Sequence, residues 1–129
     1  MLDLNWYYTL NQPPLTPPAF VFPVAWTALY TLIFISFVLF SVKRTDRSKN
    51  FGYILFFSQM LLNLCWTPIF FSFRKISLAL AILILLDILV LFNIKEFYEI
   101  SKKSAFFLIP YFLWILFATY LNAGILVLN

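Results

Sequence analysis

The stretch ISLALAILILLDILVLFNI, residues 76–94, decides the fold class of this 129-residue chain. A helix of about 20 mostly apolar residues is long enough to cross the hydrocarbon core of a membrane. The run Leu83-Ile84-Leu85-Leu86 lacks the alternation of apolar and polar residues that a transmembrane β-strand requires. Because a backbone in lipid must satisfy its own hydrogen bonds, this stretch predicts a membrane-spanning helix.

Three further apolar segments flank this stretch, and charged residues separate them. These three segments carry no formal charge, whereas residues 76–94 contain Asp87. The short connectors place consecutive helices antiparallel in one bundle. We therefore predict an all-α, polytopic membrane bundle that forms a single domain over residues 1–129. Its four transmembrane helices are predicted at residues 19–42, 51–73, 76–94 and 104–128.

The composition excludes several classes of protein. Hydrophobic residues make up 64% of the chain and charged residues only 11%, which is too few for an ordinary soluble domain. Histidine is absent and there are five carboxylates, so neither a metal site nor acid–base catalysis is expected. The net charge of +4 indicates membrane orientation and lipid contact, and no nucleic-acid partner is predicted.

The basic residues predict the orientation in the membrane. Two of them, Arg74 and Lys75, fall in the middle connector. Since basic connectors favour the cytoplasmic side, we expect connectors 43–50 and 95–103 inside and both chain termini outside. The seven basic residues of those two connectors are Lys43, Arg44, Arg47, Lys49, Lys95, Lys102 and Lys103.

The first 18 residues differ from the rest of the chain. The sequence Pro13-Pro14-Leu15-Thr16-Pro17-Pro18 cannot be helical, because proline lacks a backbone N–H and restricts the preceding residue. Residues 1–18 are therefore predicted to form an extended extramembrane loop that lies on the end of the bundle.

Polar and aromatic residues recur at helical spacing inside the predicted spans. Gln59, Asn63 and Trp66 share one helix stripe, which should face protein because lipid cannot hydrogen-bond to an amide. Two interpretations remain open: the stripe joins helices, or it forms the polar wall of a ligand cavity. Asp87 is the only ionisable side chain well inside a span, so it needs a partner or it is protonated.

The same spacing selects residues in the first and last spans. Trp26 and Tyr30 are i, i+4 partners. Three tryptophans, Trp26, Trp66 and Trp114, lie well inside the spans. They either pack in a phenylalanine-rich bundle or line a pocket for a flat apolar ligand. In the last span, one face carries Trp114, Ala118 and either Leu121 or Asn122.

Several blocks of residues follow one another along the chain in a characteristic order. They are Trp6-Tyr7, Pro17-Pro18, VFPVAWTALY at residues 21–30, Gln59 to Asn63 with Trp66, Pro68-Ile69-Phe70-Phe71, Pro110-Tyr111, Trp114, Phe117-Ala118-Thr119 and Leu121-Asn122. In these blocks the chain resembles the TspO/MBR family, the tryptophan-rich sensory proteins and translocator proteins also known as peripheral benzodiazepine receptors. The resemblance covers nearly the whole chain, in the order of the family.

The resemblance implies a membrane protein that binds porphyrins, haem-like tetrapyrroles or other flat hydrophobic molecules in a cavity beneath the proline-rich loop. No cofactor is required. In bacterial relatives the tryptophans that match Trp26 and Trp114 are linked to light-dependent porphyrin breakdown, so such a reaction here would involve these two indoles. A transporter or exporter subunit for such molecules is the alternative function. The implied ligand-binding residues are Trp26, Tyr30, Asn63, Trp66, Trp114, Ala118 and Leu121.

The chain also departs from the family pattern. The family has five transmembrane helices, and this sequence resembles a form that lacks the first of them. Leu15 and Phe20 stand where the loop of the family usually carries tryptophans. The resemblance leaves a homodimer open, although the chain contains only two glycines, Gly52 and Gly124, for close helix contacts.

Overall fold

The computed structural model describes residues 9–14, 20–73 and 75–129, and this part of the chain contains helices and no strand. Four of the helices are long and apolar enough to cross a membrane, which confirms the predicted fold class. A π-helical turn, Pro68–Ser72, extends the second one, because Pro68 has no N–H to continue the α-helical pattern. The helices are α1 (Val21–Val42), α2 (Asn50–Thr67), α3 (Ile76–Ile100) and α4 (Lys102–Leu128).

The third helix is longer than the span predicted from its charges. It runs to Ile100, so the predicted connector 95–103 is helical except for Ser101. The buried face of α3 continues with Phe97 and Ile100, and this packing keeps the backbone helical beyond the apolar span. Ser101 then starts α4, where its side chain accepts a hydrogen bond from the N–H of Ser104.

Of the three close contacts between the described long helices, two join consecutive helices and the third joins the first helix to the last. α1 packs along α4, α4 along α3, and α3 along α2. α1 and α2 meet through long side chains, such as the ring of Phe37, whose centroid lies 4.8 Å from that of Phe56. α1 and α2 are therefore held together by side-chain contacts rather than by close packing of their backbones.

The described part of the N-terminal segment, residues 9–14, lies against the end of α4. The N–H of Asn11 donates to Oδ1 of Asn129, and the hydroxyl of Tyr120 donates to the carbonyl of Pro14. Several residues of the predicted loop lie outside the described residues, including Trp6, Leu15, Pro17 and Pro18.

Both glycines provide room for neighbouring side chains of the same chain. A Cβ atom on Gly52 would lie 2.5 Å from the ring of Phe40, and one on Gly124 would lie 2.6 Å from the ring of Pro13. Phe40 is fully buried and its ring stacks on that of Phe97 at 3.9 Å, so it has little freedom to move. A homodimer of this chain would therefore need contacts other than close glycine packing.

Candidate ligand-binding site

Four aromatic side chains on α1 and α4 form a connected group, which we call the aromatic cluster: Trp26, Tyr30, Tyr111 and Trp114. The ring of Trp26 lies at its centre, with centroid distances of 5.6 Å to Tyr30, 6.4 Å to Tyr111 and 6.3 Å to Trp114. Trp26 and Trp114 meet edge to face at 88°. This is a favourable arrangement for rings with a negative face and a positive edge.

Local helix geometry and the packing of α1 on α4 together build the cluster. Trp26 and Tyr30 are one turn apart on α1, and Tyr111 and Trp114 are one turn apart on α4. Tyr111 is fully buried, whereas Tyr30 is 36% exposed and both indoles are partly buried. The cluster is therefore anchored in the core on one side and accessible on the other.

A chain of three hydrogen bonds joins the cluster to α2. The hydroxyl of Tyr30 donates to Oδ1 of Asn63, and Nδ2 of Asn63 donates to the hydroxyl of Tyr111 at 2.8 Å. The hydroxyl of Tyr111 in turn donates to Oε1 of Gln59 at 2.8 Å. These bonds connect α1, α2 and α4, although the backbones of α1 and α2 do not approach each other closely.

The polar stripe of α2 faces protein, as its spacing predicted. Gln59 is fully buried and Asn63 is 5% exposed, and both side chains bond to other helices. The interpretation of the stripe as a connection between helices is thus confirmed. Its role as the wall of a ligand cavity remains a prediction.

Trp66 lies closer than the aromatic cluster to the C-terminal end of α4. Its Nε1–H donates to Oδ1 of Asn122 at 3.1 Å, and its ring stacks on that of Phe70 at 5.2 Å. Asn122 also donates to the carbonyl of Ile76, so it links α2, α3 and α4. Of the two residues left open by the spacing, Asn122 makes the polar contact, while Leu121 is buried beside it at 5% exposure.

The structure thus connects four of the seven predicted site residues directly: Trp26, Tyr30, Asn63 and Trp114. Ala118 is buried on α4 in the main hydrophobic core, against which Trp66 and Trp114 also pack.

Tyr111 is the central residue that the spacing analysis did not select. It joins the ring contacts of α1 to the amides of α2, and it is the largest fully buried side chain in the described chain. The signal was present, since Tyr111 precedes Trp114 by three residues and Ala118 by seven on the same helix face. Extending that stripe by one turn would have found it.

Asp87 has a hydrogen-bond partner on the neighbouring helix. The hydroxyl of Thr119 lies 2.7 Å from Oδ2 of Asp87, and also 2.8 Å from the carbonyl of Ile115. This contact lies between α3 and α4, whereas Asn63 bonds to α1 and α4. Asp87 therefore links α3 to α4, whereas Asn63 links α2 to α1 and α4.

An apolar groove of about 430 Å³ lies between α1 and α4, and Trp114 contributes to its wall. Ala25 and Ala28 leave space on α1, and Pro110 and Phe117 line α4 on the opposite side. The indole of Trp114 thus contacts the cluster on one side and borders this groove on the other.

The fold defines a polytopic helical membrane protein, and the aromatic cluster lies between two of its helices. The chain belongs to the TspO/MBR family, whose pattern it matches over residues 2–128. This result confirms the resemblance that the sequence motifs indicated.

Relatives from bacteria and animals share this similarity. The chain is 38% identical over 129 residues to the tryptophan-rich protein TspO of Chlorobaculum tepidum, covering 97% of this chain and 80% of that protein. It is 32% identical to the tryptophan-rich sensory protein of Cereibacter sphaeroides, covering 97% and 77%. It is also 31% identical to the translocator protein of Homo sapiens, covering 92% and 72%.

Proposed function

We propose that this membrane protein binds porphyrins or related flat hydrophobic molecules at the aromatic cluster. The observation that carries the proposal is the contact of Trp26 with Tyr30, Tyr111 and Trp114 across α1 and α4. Aromatic faces recognise a flat ring system by offset stacking or edge-to-face contact. The hydroxyl of Tyr30 and the amide of Asn63 provide a few polar groups that would orient such a ligand.

A binding or sensory role fits the polar groups of the spans better than a transport path. Transport through the bundle would use Asp87 and the stripe at Asn63 in series, but these residues bond to different helix pairs. Within the described ranges, no hydrogen bond connects Asp87 to Asn63. The names of the relatives include both sensory and translocator proteins, which is consistent with either role.

Light-dependent breakdown of a bound porphyrin is the enzymatic alternative. The observation that favours it is the edge-to-face contact of Trp26 with Trp114, which would bring both oxidisable indoles to one ligand. Such a reaction would need light and dissolved dioxygen as the oxidant that accepts the electrons, rather than a general acid or base.

Titration of the purified protein with protoporphyrin IX in detergent tests the proposal. We expect saturable quenching of tryptophan fluorescence, because a ligand at the cluster lies against two indoles. Repeating the titration at several detergent concentrations separates binding from partition into micelles. Quenching that never saturates and follows the detergent concentration would refute the site, and porphyrin loss only under illumination would support the enzymatic alternative.

We also propose that connectors 43–50 and 95–103 face the cytoplasm, on the basis of their excess of basic residues. Lys43 and Lys75 are exposed at opposite ends of the bundle and suit a labelling test. In a Cys65→Ser background, a membrane-impermeant maleimide should label Lys75→Cys but not Lys43→Cys in intact cells. The opposite pattern would reverse the orientation.

A further inference from the structure

A second groove, of about 440 Å³, lies between α3 and α4 at the end of the bundle opposite the C-terminus. It is separate from the aromatic cluster and shares no residue with it. Its lining residues come from the last turns of α3 and the first turns of α4: Leu91, Ile94, Lys95, Tyr98, Lys102, Ala105, Phe106 and Ile109.

The mouth of this groove is positively charged. Lys95 on α3 and Lys102 on α4 line it, and Nζ of Lys102 lies 5.7 Å from the ring centroid of Tyr98. This cation–π contact holds the ammonium group at the mouth. Neither lysine takes part in an ion pair within the part of the chain that the structure describes.

The carboxylates of α3 nearest to this end are already bound to another residue. Arg47, in the connector before α2, lies 3.2 Å from Glu96 and 2.6 Å from Glu99. The hydrogen bond to Glu96, followed by the charges of Glu96 and Glu99, raises the pKa of Arg47 above its usual value. Arg47 therefore neutralises one of these two carboxylate charges, and the two lysines of the groove outnumber the charge that is left.

The deeper part of the groove is apolar and open to the surroundings of the bundle. Leu91 and Ile109 are 54% and 40% exposed, and small, buried Ala105 forms the floor between the helices. Ile109 lies seven residues beyond Lys102 on α4, which corresponds to about 10 Å along the helix axis. The two lysines thus lie at the end of the predicted spans, and the apolar part of the groove extends from them along the hydrocarbon region.

We propose that this groove binds one anionic phospholipid, with its phosphate between Lys95 and Lys102 and an acyl chain along Leu91 and Ile109. Basic pockets between transmembrane helices are suited to anionic headgroups, because the lipid supplies both charge and apolar chain. A soluble anion would leave the apolar part of the groove uncovered. A zwitterionic lipid would place its own cation beside the two lysines.

Native mass spectrometry of delipidated protein tests the site, with phosphatidylglycerol and phosphatidylcholine of identical acyl chains offered at equal concentration. The wild-type chain should retain phosphatidylglycerol in clear preference. Each lysine near an anionic headgroup favours binding by a factor of about five, so Lys95→Gln/Lys102→Gln should retain roughly 25-fold less phosphatidylglycerol.

Two further variants separate this site from general electrostatic attraction. Lys43→Gln/Arg44→Gln removes the same charge at the same end of the bundle, outside the groove, and should change retention less than twofold. Ile109→Trp narrows the apolar part of the groove without changing the charge, and it should also lower the retention of phosphatidylglycerol. Equal retention of both lipids, equal behaviour of the two double variants, or full retention by Ile109→Trp would each overturn the proposal.

Discussion

Tyr111→Phe should lower the free energy of unfolding by about 1 to 3 kcal/mol, although it removes a single oxygen atom. The hydroxyl of Tyr111 accepts from Asn63 and donates to Gln59, both at 2.8 Å, and the side chain is fully buried. Its loss leaves Nδ2 of Asn63 and Oε1 of Gln59 without this partner in an apolar interior. Since the ring remains, no cavity contributes to the effect.

Two ranges of free energy bound the expected loss of stability. An unsatisfied buried polar group costs about 1 to 3 kcal/mol in soluble proteins. Hydrogen bonds between transmembrane helices average about 0.6 kcal/mol and reach about 1.7, because the unfolded chain in a membrane also finds partners. The loss of two bonds to one hydroxyl therefore gives an effect above the average for a single bond.

Thermal unfolding in detergent, compared with Tyr120→Phe, measures this effect. Tyr120 also loses one hydrogen bond, to the carbonyl of Pro14, but its side chain is 42% exposed and water can replace the partner. We expect the control to change the melting temperature much less than Tyr111→Phe. Equal melting temperatures for the two variants would show that the buried chain of hydrogen bonds contributes little to stability.

The second large effect concerns ligand affinity. Trp26→Ala and Trp114→Ala should each weaken porphyrin binding at least severalfold, since an aromatic contact is worth about 1 kcal/mol beyond the area that it buries. Both indoles belong to the aromatic cluster, and Trp114 also borders the groove between α1 and α4. This expectation rests on the proposed function.

Phe34→Ala is the matched control for these titrations. Phe34 lies two turns from Trp26 on α1, is 63% exposed and takes no part in the cluster. Its removal deletes an aromatic ring of the same helix without touching the site, so the affinity should stay unchanged. If both tryptophan variants bind porphyrin as tightly as the wild type, the cluster is not the binding site.

The sequence was informative where lipid imposes a rule on every residue. An uncharged or nearly uncharged segment of about 20 residues in a membrane must be helical, so the four spans and the all-α class could be predicted. The same rule placed the amides of Gln59 and Asn63 against protein, as the structure confirms. The end of α3 was predicted less well, because charged residues mark the membrane boundary and not the end of a helix.

Spacing predicted which side chains share a face of one helix, but not which faces of two helices meet. Trp26 with Tyr30 follows from one turn of α1, but the partners of Tyr111 lie 48 and 52 residues away in the chain. Its place on the same face as Trp114 follows from the spacing, but its bonds to Asn63 and Gln59 on α2 do not.

The sequence by itself therefore determined an all-α membrane bundle, through its long apolar segments, and turned the amides of α2 inward, through their helical spacing. The tertiary structure alone decided that α1 packs on α4 and that Tyr111 joins Asn63 to Gln59. It also decided that Lys95 and Lys102 share one groove. The physical reason is that lipid is as apolar as a protein core, so a helix apolar on all faces does not show which face meets a neighbour.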